Sequence, residues 1–229
     1  MAASGSKRGR IRDAKLAREM ILGAAEAIFA ERGFDGAHVD AIAKASGYNI
    51  SLLFQYFGDK LGLYAAVLER LHRETTELQA QVFGPWLADE GHATHRQEFS
   101  TILETAVRTV FDYLVAHPRF LRILTWEMAQ GWQTYTQIAS QFPTEESAQL
   151  EVFFQGAWKA GWLRSDCSAL IQLTLVFQVC QSYLNVLPLF QVVLPGEDLS
   201  SEQARSRMRE HIVGFIVAGM LSDPQSPNA

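Results

Sequence analysis

The stretch VDAIAKASGYNISLLFQYFGDK, residues 39–60, decides how this chain folds. Val39, Ile42 and Ala43 recur at positions i, i+3 and i+4, so they lie on one face of a short helix. Gly47 is suited to end that helix, because glycine adopts a positive φ without a steric clash. The spacing therefore predicts a short helix followed by a sharp turn.

A second short helix follows the turn. Asn49 is a favourable N-cap for a helix over residues 50–57, and Asp59 caps a third helix that begins at Lys60. The positions predicted to be buried are Ile50, Leu53, Phe54 and Phe57, and those predicted to face outwards are Ser51, Leu52, Gln55 and Tyr56.

Two short helices joined by a glycine turn form a helix-turn-helix, and the second helix has a size that fits the major groove of B-DNA. The same pattern also fits a helical hairpin in the core of an all-α protein. Periodicity alone leaves both interpretations open.

Residues 18–69 of the 229 resemble the N-terminal domain of the TetR family of bacterial transcriptional regulators. The remainder is similar to the family only in being helical and of suitable length. The positions that carry the resemblance are Ala25, Phe29, Gly33, Phe34, Ile42, Ala43, Gly47, Phe54, Phe57, Lys60 and Leu63. The resemblance implies an all-α fold, with an N-terminal three-helix helix-turn-helix DNA-binding domain and a C-terminal helical bundle for ligand binding and dimerisation.

Four positions depart from the family pattern. The family usually has Ser or Thr at His38, a small residue at Ser51, a polar residue at Leu52 and Tyr at Phe54. The departures lie on or beside the recognition helix, so they leave the fold expectation intact and the target DNA sequence open.

The resemblance assigns DNA contacts to the region around the second short helix. Gln55 can bond adenine through two hydrogen bonds, and Leu52 can pack on a thymine methyl group. Asn49 and Ser51 lie at the helix N-terminus, near bases and phosphate. The residues expected to contact phosphate, and so to set the register, are His38, Lys44, Tyr56 and Lys60.

Charge is distributed unevenly along the chain. The net charge is −5, yet residues 1–60 hold 9 Lys and Arg against 7 Asp and Glu, and the remainder holds 11 against 18. This asymmetry indicates a nucleic-acid contact at one end only. We expect a disordered basic arm over residues 1–11, which is either a solvated tail or a DNA-binding arm. The DNA-binding domain follows over 12–60, with its first helix from about 13 to 32, and a helical domain over 61–229.

Composition is ordinary for a globular protein, with 48% hydrophobic and 20% charged residues. Cys167 and Cys180 are expected to be buried, reduced thiols, and the basic N-terminus lacks the apolar region of a signal peptide. Residues 167–196 contain no charged side chain, but their glutamines and Pro188 make them too polar for a lipid-facing span. We expect instead a helix buried at a subunit contact, in a cytoplasmic protein.

The middle of the chain is dense in large aromatic residues. They form either an aromatic core or a roomy apolar cavity for a small ligand. The candidate lining residues are Trp126, Glu127, Gln130, Trp132, Tyr135, Phe154, Trp158 and Phe177. A buried Glu127 would favour a cationic ligand, or would be a paired structural carboxylate.

Two helices near the C-terminus are predicted to form a dimer interface. Apolar residues from 170 to 187 alternate at spacings of three and four, which suits packing against another helix. A last helix is expected over about 200–221. The predicted interface residues are Leu170, Leu173, Phe177, Cys180, Leu184, Met208, Ile212, Phe215 and Ile216.

Together these features predict a homodimeric repressor that binds a palindromic DNA operator and is released by a small apolar or aromatic effector. One alternative is a TetR-like regulator controlled by a protein partner. Another is an enzyme built on a helical bundle, but the sequence contains no GxGxxG, P-loop, HExxH, CxxC or GxSxG motif. No catalytic residue, metal or cofactor is predicted.

Overall fold

The computed structural model describes residues 4–87, 95–139, 145–164 and 167–223. Ten helices are found in this part of the chain, and its only β-type pairing is a single bridge between Leu163 and Leu221. The helices are α1 (Ser4–Gly36), α2 (Val39–Ser46), α3 (Ile50–Phe57), α4 (Lys60–Leu87), α5 (Arg96–Ala116), α6 (Pro118–Ala129), α7 (Gln133–Ile138), α8 (Glu145–Lys159), α9 (Ala169–Val193) and α10 (Glu202–Met220). The predicted all-α fold is confirmed.

The chain divides into two compact units. The head unit comprises Met1–Glu74 and Pro118–Phe142, and the body unit comprises Thr75–His117 and Pro143–Ala229. Helix α4 contributes its first half to the head unit and its second half to the body unit. The head unit also contains α6 and α7, which come from the middle of the sequence.

Helix α1 forms the centre of the head unit and packs against α2 and α6. Ile21 and Phe29 on this helix are completely buried. α1 begins at Ser4, within the stretch predicted to be a disordered arm, and it extends beyond the predicted end near residue 32. At Gly33 the backbone leaves the helical region, with φ 68° and ψ 179°, so glycine permits the kink.

Helix α6 is fastened to α1 through Trp126. The Trp126 Nε1 donates a hydrogen bond to the Ala30 carbonyl at 3.3 Å. Its indole ring lies against Gly33, where an added Cβ atom would come within 3.0 Å of the ring. Glycine at this position therefore serves both the kink and the close packing of α6.

The buried carboxyl group of Glu127 fastens α6 to α4. Glu127 is fully buried, and its Oε1 accepts a hydrogen bond from the Tyr64 hydroxyl at 2.6 Å. Its Oε2 accepts a second bond from the Tyr135 backbone N–H at 3.0 Å, at the start of α7. Burial, together with the bond to Glu127, raises the pKa of Tyr64 far above its usual range. These contacts match the second interpretation of Glu127, a paired structural carboxylate.

Helix α5 forms the centre of the body unit, with α9 and α10 packed against it. The buried residues of α5 are Phe99, Ile102, Leu103, Ala106, Val107, Phe111 and Leu114. Phe83 from α4 and two neighbouring phenylalanines from α8 extend this core, with ring centroids 5.4 to 6.3 Å apart. Arg108 and Arg209 form ion pairs at 2.9 and 2.8 Å that tie α5 to α10 at the surface.

Two helices continue past a proline. α4 passes Pro85 and reaches Leu87, and α9 passes Pro188 and reaches Val193. A proline removes one backbone N–H donor, and with it one intrahelical hydrogen bond. Both prolines lie in the last two turns of their helices, where few residues depend on the lost bond.

The predicted interface residues on α9 and α10 have different environments. Leu170 and Phe215 are exposed, whereas Leu173, Phe177, Leu184 and Met208 are half-buried. Cys180, Ile212 and Ile216 are only 0%, 5% and 7% exposed within the single chain. These last three therefore contribute to the core of the body unit within the single chain. Burial also raises the pKa of the Cys180 thiol to about 12. Cys167 is exposed, so the prediction that it is buried is wrong.

Helix α9 is long and apolar enough to cross a membrane when judged by length and composition alone. One such helix is weak evidence for a membrane span. Only 17% of its most apolar window is buried within the chain, so the predicted burial of this helix would need a second molecule.

Removing the Tyr64 hydroxyl should destabilise the head unit. Tyr64→Phe leaves one oxygen of the buried Glu127 without its donor, a change that costs about 1–3 kcal/mol. Tyr48→Phe is the matched control, because the Tyr48 hydroxyl meets only the Met20 thioether, at 3.8 Å near the surface, among its described contacts. Urea unfolding of both variants measures the difference, and equal midpoints would contradict a stabilising role for this bond.

Candidate nucleic-acid interface

The turn between α2 and α3 has the predicted form. Gly47 adopts the left-handed conformation, with φ 76° and ψ 12°, and its N–H bonds the Ala43 carbonyl. The buried Ser46 hydroxyl donates to the same carbonyl at 3.0 Å. These bonds satisfy the end of α2, so the chain reverses within a few residues.

Both ends of α3 are held by capping interactions. The Asn49 side chain accepts a hydrogen bond from the Leu52 N–H at 2.8 Å, as predicted for an N-cap. Asp59 caps α4 by accepting from the Gly62 N–H at 2.7 Å. An added Cβ atom at Gly62 would lie 2.0 Å from the Phe57 carbonyl oxygen, so glycine is required where α4 passes the end of α3.

Helix α3 lies nearer the surface than the sequence predicts. Leu53 is its only buried residue. Ile50 and Phe54 are 38% and 43% exposed, so the prediction that they are buried is wrong. Phe57 is half-buried, and the Arg18 guanidinium lies over its ring at 5.2 Å.

The composition of α3 contains a signal for this exposure. Six of the eight residues in ISLLFQYF are apolar or aromatic, which is more than one narrow helical face can bury. Periodicity cannot indicate how far a short helix rises above the core, and only packing against neighbouring helices decides it.

The other predicted DNA-contact residues lie around this helix. His38, Lys44, Asn49, Ser51 and Gln55 are exposed, whereas Leu52, Tyr56 and Lys60 are half-buried.

The charge of Lys60 already has partners in the head unit. Its ammonium donates to the Asp35 carbonyl at 3.3 Å and lies 4.6 Å from the Phe34 ring centroid. Lys44 is the more exposed lysine of this region.

The exposed face of α3 carries no charged group, since none of its eight residues is ionisable except Tyr56. It presents the Gln55 amide, the Ser51 hydroxyl and two apolar side chains. Amide and hydroxyl groups can bond base edges in a major groove, whereas lysine at the edge of the site suits phosphate. The helix, its caps and its polar outer residues therefore have the composition of a base-reading element.

The residues predicted to line a ligand pocket fall in different units. Trp126, Glu127, Gln130, Trp132 and Tyr135 belong to the head unit, and Phe154, Trp158 and Phe177 belong to the body unit. In the head unit, the Trp132 and Tyr135 rings meet edge to face at 5.6 Å.

A cavity of about 330 Å³, open to solvent, lies in the body unit between the second half of α4 and α8. Its described lining residues are all uncharged: Thr76, Gln79, Ala80, Phe83, Gly84, Leu87, Gln149 and Leu150. None of these residues was predicted from the sequence. Taken alone, the polar and small residues of α4 are typical of an exposed helical face. They line a cavity only because α8 lies beside them.

No cluster of three or more histidine, cysteine or acidic side chains with metal-binding geometry is found among the described residues.

Comparison with known families identifies the two parts of the chain. The profile described as "Bacterial regulatory proteins, tetR family" matches residues 21–67. The profile described as "Tetracyclin repressor-like, C-terminal domain" matches residues 100–216. The second match alone spans more than half of the chain.

Individual relatives extend over most of the sequence. The chain is 26% identical over 216 residues to the HTH-type transcriptional repressor NicS of Pseudomonas putida, covering 92% of this chain and 95% of NicS. It is 28% identical over 174 residues to the HTH-type transcriptional activator FasR of Mycolicibacterium smegmatis, covering 76% of this chain and 74% of FasR.

A solved structure shares the fold. The fatty acid degradation regulator FadR of Bacillus halodurans superposes with a TM-score of 0.60 at 16% identity, covering 88% of this chain and 98% of FadR.

The family and these relatives are transcription regulators, so the alternative of a helical-bundle enzyme is excluded. The helix-turn-helix geometry of α2 and α3 agrees with the N-terminal profile, and the helical body unit agrees with the C-terminal one. The chain therefore belongs to the TetR family of DNA-binding transcriptional regulators.

Proposed function

We propose that this chain is a ligand-responsive repressor that binds a palindromic operator as a homodimer. One α3 helix of each copy enters one of two successive major grooves, which are roughly 34–36 Å apart. The observation that carries the proposal is the exposed pair Ser51 and Gln55 on a helix capped at both ends directly after the Gly47 turn. Its likeness to the repressor NicS supports repression. The proposal includes a cytoplasmic location, where the operator would be reached.

Gln55 and Lys44 have different tasks in this proposal. Gln55 bonds a base edge, which discriminates between bases by about 1–3 kcal/mol. Lys44 neutralises a phosphate, so it adds affinity for every sequence and increases the salt dependence of binding.

Selection of duplexes from a random library, followed by titration at several salt concentrations, tests this division. Gln55→Ala should change the preferred sequence. Lys44→Ala should leave that sequence unchanged, weaken all binding, and lower the slope of log K against log salt by about 0.9. Lys159→Ala, a substitution of an exposed lysine in the body unit, serves as the control. An unchanged preferred sequence in Gln55→Ala would remove this residue from base reading.

The homodimer is proposed to form through the exposed faces of α9 and α10. Leu170, Leu175 and Phe215 are 66%, 60% and 67% exposed, which leaves three large apolar side chains in water. Gly214, Ala218 and Gly219 beside Phe215 are also exposed and allow close approach of a second helix. Burial of this surface by a second copy supplies the hydrophobic contribution that a stable dimer needs.

A charge placed in the exposed face should dissociate the dimer. Phe215→Glu leaves the buried core of α10 intact but places an unpaired carboxylate in the proposed contact. Leu16→Glu is the matched control, because Leu16 is 58% exposed on α1, in the head unit and not on α9 or α10. Light scattering of both variants at micromolar concentration measures the outcome. A dimer that persists in Phe215→Glu would place the interface elsewhere.

The effector is proposed to bind in the cavity between α4 and α8. At about 330 Å³ the cavity lies near the lower end of ligand-site volumes, roughly 300–1,000 Å³. Apolar walls with the Gln79 and Gln149 amides and no charged group among the described lining residues favour a small neutral ligand. Because α4 contributes to both units, a ligand that orders its second half shifts the population of head positions and so weakens DNA binding.

A melting screen with neutral aromatic and aliphatic compounds tests the effector site. A compound that binds the folded protein raises its melting temperature, and a true effector should also weaken operator binding by about 5- to 150-fold. Ala80→Phe fills the cavity, so it should abolish both effects while DNA binding without compound is retained.

A hit that acts equally on Ala80→Phe would locate the effector elsewhere. A screen without any hit would favour control by a protein partner.

A further inference from the structure

The exposed face of α3 carries two rows of side chains. Successive residues of an α-helix are about 100° apart, so Ile50, Phe54, Ser51 and Gln55 fall within one arc of about 140°. Ile50 and Phe54 form an apolar row, and Ser51 and Gln55 form a polar row beside it. The buried Leu53 points away from the centre of this arc, towards the core.

The packing of the head unit does not explain why the apolar row is exposed. A single exposed apolar side chain is ordinary on a protein surface. Here two of them, 38% and 43% exposed, occupy nearly half of the outward face of an eight-residue helix. Phe57, one turn from Leu53 and beside this row, is half-buried beneath Arg18, so the helix does offer a more sheltered place for an aromatic ring.

The chemistry of the major groove identifies what this row would contact. The C5 methyl group of thymine is the apolar group that a base pair presents there. A phenyl ring has no hydrogen-bond donor or acceptor, so it cannot read the pattern of polar groups on base edges. Its recognition of DNA must rest on packing, and thymine offers the matching surface.

We infer that Phe54, with Ile50 beside it in the same row, is a specificity-determining residue that recognises thymine through its methyl group. The inference rests on the proposed function, because it requires α3 to enter the major groove. Leu52, the residue predicted from sequence for this contact, is half-buried and lies about 60° beyond the edge of the exposed arc. Gln55, adjacent to Phe54, is positioned to bond an adenine in the same stretch.

Replacement of thymine by deoxyuridine isolates the methyl group. Deoxyuridine keeps every hydrogen-bonding group of thymine and lacks only the methyl. The full-length protein is first used to select a duplex from a random library, and each thymine of that duplex is then replaced singly. At one position of each half-site, the replacement should weaken binding about fourfold, equivalent to ~0.8 kcal/mol per buried methyl group.

Two variants assign the effect to a residue. Phe54→Ala should bind the thymine duplex more weakly and should bind the thymine and deoxyuridine duplexes equally. Leu52→Ala is the matched control and should distinguish the two duplexes as strongly as the unmodified protein does. Melting curves establish that both variants are folded, as expected for Phe54→Ala because the ring is 43% exposed.

The outcomes separate this inference from the proposed function. If the unmodified protein binds the deoxyuridine duplexes as tightly as the thymine duplex at every position, the inference is wrong, and this comparison needs no variant. If Phe54→Ala still distinguishes them fourfold, another residue contacts the methyl group. In both cases a changed sequence preference in Gln55→Ala would leave the proposed function standing. If no duplex is selected, both proposals fail.

Discussion

The hydrogen bond from the Tyr64 hydroxyl to the buried Glu127 carboxyl group is the contact on which the placement of α3 depends. α3 has eight residues and one buried side chain, Leu53, so neither its length nor its packing holds it in place. It is held at its ends, by the Asn49 cap and by the start of α4 at Asp59 and Gly62. The first half of α4 is in turn fastened to α6 through Glu127. A fully buried carboxyl group is costly unless its oxygens are bonded, so the two helices are constrained to the one arrangement that supplies Tyr64 and the Tyr135 N–H.

Local signals in the sequence were sufficient for the parts of the head that depend on neighbours in the chain. The Gly47 turn and the Asn49 and Asp59 caps involve residues at most four apart, and each was predicted correctly. Contacts across long separations were not predictable in the same way. Glu127 meets Tyr64 from 63 residues away, and nothing in the spacing around Glu127 distinguishes a structural carboxylate from a ligand-binding one. The cavity between α4 and α8 was missed for the same reason, because its walls come from two helices that are far apart in the sequence.

Helix α9 illustrates a different limit. A seam at spacings of three and four indicates a partner helix but does not identify which one, and α9 is apolar around most of its circumference. Its inner face, with Gln172, Val176 and Cys180, packs within the body unit, whereas Leu170 and Leu175 face solvent. The predicted seam mixed residues of both faces. A helix that is apolar on all sides has apolar partners on all sides, and its contacts with α5, α8 and α10 leave Leu170 and Leu175 uncovered. The remaining face supports the proposed second copy more directly than the original spacing did.

The uncharged character of α3 separates the sources of affinity and specificity in the proposed complex. Salt-dependent affinity comes from cations near phosphate. Because α3 contains no cationic residue, this contribution must come from Lys44, Arg18 and the basic residues near the start of the chain. Specificity then falls to the two rows on α3, one that bonds base edges and one that packs on methyl groups. Discrimination by a methyl contact is small, since one methyl group contributes ~0.8 kcal/mol. Two symmetric copies double that contribution. The apolar row therefore discriminates more strongly in a dimer, so the exposed faces of α9 and α10 contribute indirectly to sequence recognition although they lie in the other unit.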